Sequence, residues 1–472
     1  MDKTGNVRIK MDNSPSVLHG KRAALVTLGC KVNAYETQAI RRMLEEKGAV
    51  IVGDDERADI YVINTCSVTG IADKKSRQSV HRAMKLDDEA LVIVTGCYAQ
   101  AAGSSVFDGD DRVIVIGSNC KDEIIERAEA WFADRGASGE WVSDLKTDKK
   151  YMDLRIDGFS DKTRAFIKVE DGCNQFCTYC IIPYVRGRVR SRSLEDTLEE
   201  VTALAGAGYK EVVLTGIHLS SYGQEDYEKS KGFEHGPLLE LVRAVSQVPG
   251  IERIRLGSLE PRIITREFAE GLAEIKEFCP QFHLSLQNGC NSVLKRMNRH
   301  YTIEEYAERV GILRDVFDRP AITTDIIAGF PGETDEEFQT SIDNLEAIGF
   351  AKMHVFRYSK RKGTPAATMK DQVPAEVSAE RSDRLIDLDT FMHTRYLQFF
   401  LGEEQDVLVE RVIERDGEYY ARGLTTRYSE VEAYAGRFAP TPNTIVKVGI
   451  DEVADCVLHG KILVKPFDSR YN

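Results

Sequence analysis

Three cysteines stand in the stretch Gly172-Cys173-Asn174-Gln175-Phe176-Cys177-Thr178-Tyr179-Cys180, just after an apolar run, 165–169, that reads as a short strand. A loop this short can turn three thiolates toward three corners of one iron–sulfur cube, whose usual ligands are Cys thiolates. A structural zinc site takes four protein ligands, typically as two paired motifs, and neither a fourth Cys nor a His stands near this loop. Three ligands leave one iron open to a small molecule, which favours a reactive cluster over a structural one.

Cys30, Cys66 and Cys97 form a second set. Each falls one or two residues past an apolar, strand-like run, at 23–28, 59–64 and 91–95. If those runs are parallel strands of one sheet, its carboxyl edge collects all three cysteines, and a second three-ligand cluster follows. Buried structural cysteines are the alternative. Cys120, Cys279, Cys290 and Cys456 have no such company and read as small buried apolar residues.

The elements that position these residues are α/β in pattern. Residues 21–136 alternate continuous apolar runs, the fourth at 113–116, with helical patterns at 35–47 and 72–85, as in a doubly wound parallel sheet covered on both faces. Residues 137–161 are polar and rich in Asp, Lys and Gly, and read as a linker; residues 1–20 read as a flexible tail. From 162 to about 364 strand and helix alternate six times, with strand cores near 166, 212, 254, 283, 324 and 354, so a partial (β/α)6 barrel is expected. Ser193, Thr302 and Thr334 each stand three residues before an acid, the pattern of a capped helix start. A charged amphipathic helix, about 375–399, leads out of the barrel. Residues 400–472 then carry short strands separated by turns, as in a small five-stranded β-barrel.

The totals set limits. The chain has 472 residues, 42% hydrophobic and 29% charged, with no apolar run of membrane-spanning length and no signal-peptide core near Met1. A cytoplasmic protein with no membrane partner is expected. Ten cysteines in such a chain point to metal or redox use in preference to disulfides. A net charge of −13 excludes a broad nucleic-acid-binding surface, so any RNA contact must come from local basic patches. Two are visible: Arg186, Arg188, Arg190 and Arg192, and Arg357, Lys360, Arg361 and Lys362. Both are expected at the barrel mouth against phosphate, a solvated charge run being the alternative.

The cysteine loop, with Tyr179 directly before its last Cys and Ile181-Ile182-Pro183-Tyr184-Val185-Arg186-Gly187-Arg188 after it, resembles the signature of the radical S-adenosylmethionine (SAM) enzymes. Taken with Gly29-Cys30-Lys31-Val32-Asn33, Asn64-Thr65-Cys66, Thr95-Gly96-Cys97-Tyr98 and Asp325-Ile326-Ile327-Ala328-Gly329-Phe330-Pro331-Gly332-Glu333-Thr334, it is similar to the methylthiotransferases over nearly the whole chain after Gly20. The resemblance implies a C-terminal TRAM barrel that binds RNA, and as cofactors SAM and two 4Fe–4S clusters. Cys173, Cys177 and Cys180 would hold the cluster that cleaves SAM to a 5′-deoxyadenosyl radical; Cys30, Cys66 and Cys97 would hold an auxiliary cluster that carries sulfur. One SAM would methylate that sulfur. A second would give the radical that takes hydrogen from C2 of the adenine next to a tRNA anticodon. Tyr179 would pack beside the SAM adenine, Thr215 and Gly216 would receive its amino group, and Ser285 and Gln287 its ribose. A core aromatic and ordinary loop polarity are the alternatives for these five.

Family branches differ in substrate. The stretch 29–36 and Leu214-Thr215-Gly216-Ile217-His218-Leu219 are similar to the branch that modifies threonylcarbamoyladenosine in tRNA, whereas the isopentenyladenosine branch usually carries Gln-Met at Lys31-Val32. Action on isopentenyladenosine, or on an aspartate of a ribosomal protein, is the alternative enzyme reading. An iron–sulfur redox sensor that binds RNA is the non-enzymatic one. The resemblance also implies an external electron donor and a sulfur source. A cation, Arg186, Arg188 or Arg357, is expected to meet the threonylcarbamoyl carboxylate.

Overall fold

In a computed structural model of the chain, the described residues are 16–103, 110–135, 138–145, 150–156, 158, 163–225, 236–437 and 439–463. Strands Arg22–Thr27, Ile60–Thr65, Leu91–Gly96 and Val113–Ile116 form where the apolar runs predict them. Two short strands flank them, Val50–Val52 beside the first and Gly139–Trp141 beside the last, giving a six-stranded sheet with every pair parallel. Gly139–Trp141 lies in the stretch expected as a linker. Further along that stretch, Met152, Leu154 and Ile156 are buried in the core of the next unit. A polar composition hid apolar anchors at every second position. Residues 1–15 of the expected tail lie outside the described residues, but Leu18 is fully buried in the sheet's core.

The six expected barrel strands are Arg164–Lys168, Glu211–Thr215, Arg253–Leu256, Gln281–Leu284, Ala321–Ala328 and Lys352–Arg357. They are parallel but fall into two sheets. The first three pair together, and the last three pair with the two-residue strand Ser258–Leu259. The seam is Gly257, after which the third strand leaves Glu211–Thr215 and joins Gln281–Leu284. All three predicted caps are present: the Ser193 hydroxyl accepts from the Asp196 amide, and Thr302 with Glu305 and Thr334 with Glu337 form complete capping boxes.

The first and sixth strands do not pair, so the barrel is open along one side. Helix Lys31–Glu46 of the N-terminal sheet lies against the first strand, with Tyr35 and Ala39 entering the barrel's core. Helix Ala375–Gln398 leads to five strands, from Glu404–Arg415 to Val457–Ile462, that close into a barrel. This small barrel docks through backbone acceptors: Arg253 donates to the Leu424 and Asp406 carbonyls and Arg255 to those of Thr425 and Thr426. Among the described residues no helix is long and apolar enough to cross a membrane.

Candidate functional site

The loop bearing Cys173, Cys177 and Cys180 leaves the first barrel strand and is clamped at its base. Glu170–Asp171 pairs antiparallel with Arg190–Ser191, and the Cys173 amide donates to the Gly187 carbonyl at 3.0 Å. Gly172 has φ +88°, and a Cβ there would collide with the Arg188 carbonyl, so only glycine allows the clamp to close. The loop is also fixed from across the barrel. Thr178 donates from its amide to the Met297 carbonyl at 3.0 Å, and Arg299 reaches Cys177 Sγ at 3.3 Å while donating to the Ser285 carbonyl at 2.9 Å.

Cys30, Cys66 and Cys97 follow three adjacent strands at their carboxyl ends. Asn33 Nδ2 donates to the Leu28 and Thr65 carbonyls, and Asn64 Nδ2 to the Asn33 carbonyl, so the first two loops are stitched together. A Cβ on Gly29 (φ +104°) would stand 2.8 Å from Cys66 Sγ; the loops approach that closely because there is none. The two trios are neighbours: the Cys97 side chain packs with Ile181 and Val185, which follow Cys180.

Between the trios lies a buried ionic cluster. Glu36 receives Lys121 at 3.2 Å, Lys168 at 3.0 Å and Arg186 at 2.7 Å; Asp171 receives Lys168 at 2.8 Å and Arg186 at 3.2 Å. Burial alone would raise the Glu36 carboxyl, but Arg186, Lys121 and Lys168 more than offset it and hold it well below the usual carboxylate range. The expectation that the arginine run meets phosphate is therefore corrected. Arg186, Arg190 and Arg192 are all buried, Arg192 against Glu200. Arg188 alone of the four is exposed, its guanidinium 4.7 Å from the centre of the Phe176 ring. In the second cluster Arg361 is buried, donating to Ser67 and Asp73, while Arg357, Lys360 and Lys362 are exposed.

A cavity of about 950 Å³ lies inside the open barrel, walled by all three units. Of the expected SAM contacts, Thr215, Gly216 and Ser285 line it; Tyr179 and Gln287 do not. Tyr179 packs on Cys290, Val293, Met297 and Phe330. Gln287 is held in a left-handed turn (φ +77°) by exchanging backbone bonds with Asp325 and Ile327. Cys120, Cys279 and Cys290 are buried as expected, but Cys456 is half-buried and lines the cavity. Of the further polar wall residues, Asp325 was noted only as the head of a motif, and His283, Thr323 and His354 were not singled out from the sequence. Their signal was there: polar residues at alternate positions of a barrel strand face the lumen.

Glu170 was also missed. It is fully buried, its Oε2 accepts from the His218 amide at 2.6 Å, and its Oε1 has no hydrogen-bond partner among the described residues. A Cβ on Gly216 would lie 2.5 Å from that carboxyl. Burial raises its pKa well above the usual carboxylate range, and a cation bound beside Gly216 would return it to the ionised, accepting form.

The donors are thiols, the usual ligands of iron–sulfur clusters, though among the described residues no three donor side chains are grouped to hold a single metal ion. Burial pushes the Cys66 thiol up to about 11 and Cys180 to about 12, and raises Cys173, where Cys177 and Cys180 add repulsion. Such thiols ionise when a metal binds them, and each trio has an arginine on one sulfur, Arg299 on Cys177 and Arg186 on Cys97.

Fold and site together define a radical SAM enzyme. The family model described as the radical SAM superfamily matches residues 167–345, and the one described as Uncharacterized protein family UPF0004 matches residues 22–117. The chain is 39% identical over 409 residues to a threonylcarbamoyladenosine tRNA methylthiotransferase MtaB of Bacillus subtilis, covering 86% of this chain and 89% of that one. It is 37% identical to the Chlamydia pneumoniae protein of the same name, with 93% and 97% covered. It is 34% identical to a tRNA-2-methylthio-N(6)-dimethylallyladenosine synthase of Protochlamydia amoebophila, with 83% and 86% covered. In fold it resembles the radical SAM methyltransferase TsrM of Kitasatospora setae (TM-score 0.53, 15% identity, 74% of this chain and 77% of that one covered). The chain belongs to the radical SAM methylthiotransferase family, whose members use SAM and two 4Fe–4S clusters.

Proposed function

We propose that the chain adds a methylthio group to C2 of N6-threonylcarbamoyladenosine in tRNA, next to the anticodon. The observation that carries this is the packing of Cys97 with Ile181 and Val185, just past Cys180, beside a cavity lined by Cys30 and Ile182, in a chain matched along most of its length by relatives of that name. Cys173, Cys177 and Cys180 hold one 4Fe–4S cluster, and Cys30, Cys66 and Cys97 the other. When bound, these clusters and SAM supply a radical able to take hydrogen from an unactivated aromatic carbon, and the methylthio sulfur that replaces it.

The chain's own residues position and shield. Glu170 and the Gly216 backbone accept the SAM ammonium group, which supplies the donor that Glu170 Oε1 lacks. Thr215 and Ser285 offer hydroxyls to the rest of the molecule from the cavity wall. Val32, Val68, Ile182 and Phe356 keep water from the reacting atoms. Arg188, Arg357, Lys360 and Lys362 meet tRNA phosphates, and an external electron donor and sulfur source complete the cycle in the cytoplasm. Tyr179 and Gln287 shape the cysteine loop and the turn after the fourth strand.

The test is anaerobically reconstituted protein given tRNA bearing either threonylcarbamoyladenosine or isopentenyladenosine, followed by nucleoside digestion. The first should gain the methylthio group and the second almost none, because a site built to pair polar groups rejects an apolar analogue strongly. Equal turnover removes the substrate and leaves the reaction; turnover of the second alone moves the chain to the branch of the Protochlamydia relative.

A further inference from the structure

The proposed substrate brings a carboxylate into the cavity, and Arg186, one residue expected to meet it, is enclosed between Glu36 and Asp171. Three other cations line the cavity: Lys31, Lys352 and Arg427. Arg427 donates to the Arg319 and Asp318 carbonyls at 3.0 and 2.7 Å. Lys352 begins its strand, Lys352–Arg357, at the barrel end away from the cysteine loops. Lys31 follows Cys30 directly, is exposed to the cavity, and makes no hydrogen bond or ion pair with any described residue.

Its surroundings favour an anion. The Lys31 ammonium stands 6.0 Å from the Phe166 ring centre and 5.9 Å from that of Tyr428. The same Tyr428 ring has the Arg164 guanidinium at 5.0 Å and that of Arg255 at 4.7 Å. Arg164 is answered by Glu410 at 2.9 Å and Arg255 by Glu211 at 2.8 Å. The two carboxylates lining the cavity are also engaged, Asp325 with His283 at 3.3 Å and Glu430 with Arg422 at 3.6 Å. Among the described residues Lys31 and Lys352 are the cavity cations without an ion pair, and only Lys31 stands at the end that carries the cysteine loops.

We propose that Lys31 is the specificity-determining residue of this site and pairs with the carboxylate of the N6-threonylcarbamoyl group. This rests on the substrate reading above. In a purine, C2 and the N6 substituent lie on one edge, on either side of N1. A base that turns C2 toward the sulfur carrier at Cys30 therefore brings its N6 substituent toward the next residue in the chain. An apolar substituent in the same place would strip water from the ammonium and offer nothing in return, which is how a polar site discriminates.

The test compares wild type, Lys31→Met, Lys31→Arg and Lys352→Met on tRNA bearing threonylcarbamoyladenosine and on the same tRNA with the threonine carboxylate converted to a carboxamide. Iron content and 5′-deoxyadenosine release report whether clusters and SAM site are intact. Lys31→Met should lower kcat/KM on the carboxylate about thirtyfold, chiefly through KM, the change that about 2 kcal/mol of lost charge pairing gives. It should leave the carboxamide at wild-type turnover, and Lys31→Arg should restore most of the loss. Wild-type kinetics for Lys31→Met overturn the inference, as does transfer of the loss to Lys352→Met. If Lys31→Met loses iron, Lys31→Arg decides: full iron with no preference for the carboxylate overturns the inference. Failure of wild type to modify the first tRNA at all removes the substrate reading and the inference with it, whereas normal wild-type activity with an indifferent Lys31→Met removes the inference alone.

Discussion

The Nε of Arg186 stands 3.4 Å from Cys97 Sγ, while its two terminal nitrogens reach Glu36 and Asn33, each at 2.7 Å. One side chain from the loop after the first cysteine trio thus touches residues around the second. Only the planar, five-donor guanidinium can serve sulfur, carboxylate and amide at once. Around it Lys121, Lys168, Arg186 and Arg190 face Glu36 and Asp171, four buried cations against two buried carboxylates. Ionised cysteines at Cys97 and its partners would balance that surplus.

Removing Arg186 should therefore be costly. Arg186→Gln removes one of the two cations that Glu36 and Asp171 share and leaves only Lys168 bridging them, a change worth up to about 3–5 kcal/mol, and the urea midpoint should fall accordingly. Arg186→Lys should recover part of the stability but not the contact to sulfur. A midpoint unchanged in Arg186→Gln would mean that the cluster adds no stability.

The same cluster predicts acid lability. Glu36 is held below its ordinary pKa of 4.5, so the unfolded chain binds more protons and stability rises with pH. The contribution is complete above about pH 4.5 and is lost as pH falls below it through the depressed folded value. Unfolding free energies measured across that range should slope less steeply in Glu36→Gln than in wild type; parallel slopes would contradict the assignment.

Iron counts separate the two trios. Reconstituted protein should hold about eight irons, from two four-iron clusters. Replacing Cys173, Cys177 and Cys180 by Ala should leave about half and abolish SAM cleavage. Replacing Cys30, Cys66 and Cys97 should leave SAM cleavage without methylthiolated RNA. Normal product from the second variant would show that its cysteines carry no sulfur.

Glu170→Gln keeps an acceptor for the His218 amide but removes the carboxylate. SAM should bind about tenfold more weakly, as expected when a hydrogen bond to a charged group worth about 1.5 kcal/mol is lost; equilibrium dialysis reads this directly. Unchanged affinity would leave the free Glu170 oxygen without a ligand.

Arg188→Ala should weaken tRNA binding whatever base is modified, and the slope of log affinity against log salt should shrink by about one. Arg192→Ala, at a buried arginine, should alter stability and leave the slope alone. Slopes that respond equally would place the phosphate contact elsewhere.

How much could be read in advance depended on how local the cause was. The caps at Ser193, Thr302 and Thr334 are decided within four residues and appear as expected. The cysteines past the strands were equally legible, because apolar runs of a covered parallel sheet are continuous. The arginine run was not. Alternation made Arg186, Arg190 and Arg192 look like one exposed face, and the first of them is claimed by Glu36, 150 residues upstream. The seam at Gly257 was hidden for a similar reason, since strand neighbours are chosen by tertiary packing. The packing of Tyr179 was not legible, because the cluster that receives its ring comes from residues 290–366.

Tyr428 holds a left-handed backbone conformation (φ +64°) in the C-terminal barrel, yet its ring closes the cavity beside Arg164, Arg255 and Lys31. The module expected only to grip RNA is also a wall of the cavity. It cannot be exchanged among relatives as a neutral handle. A graft from a chain with a different residue at this turn should alter the cavity wall as well as the grip on nucleic acid, so affinity and selectivity would be inherited together.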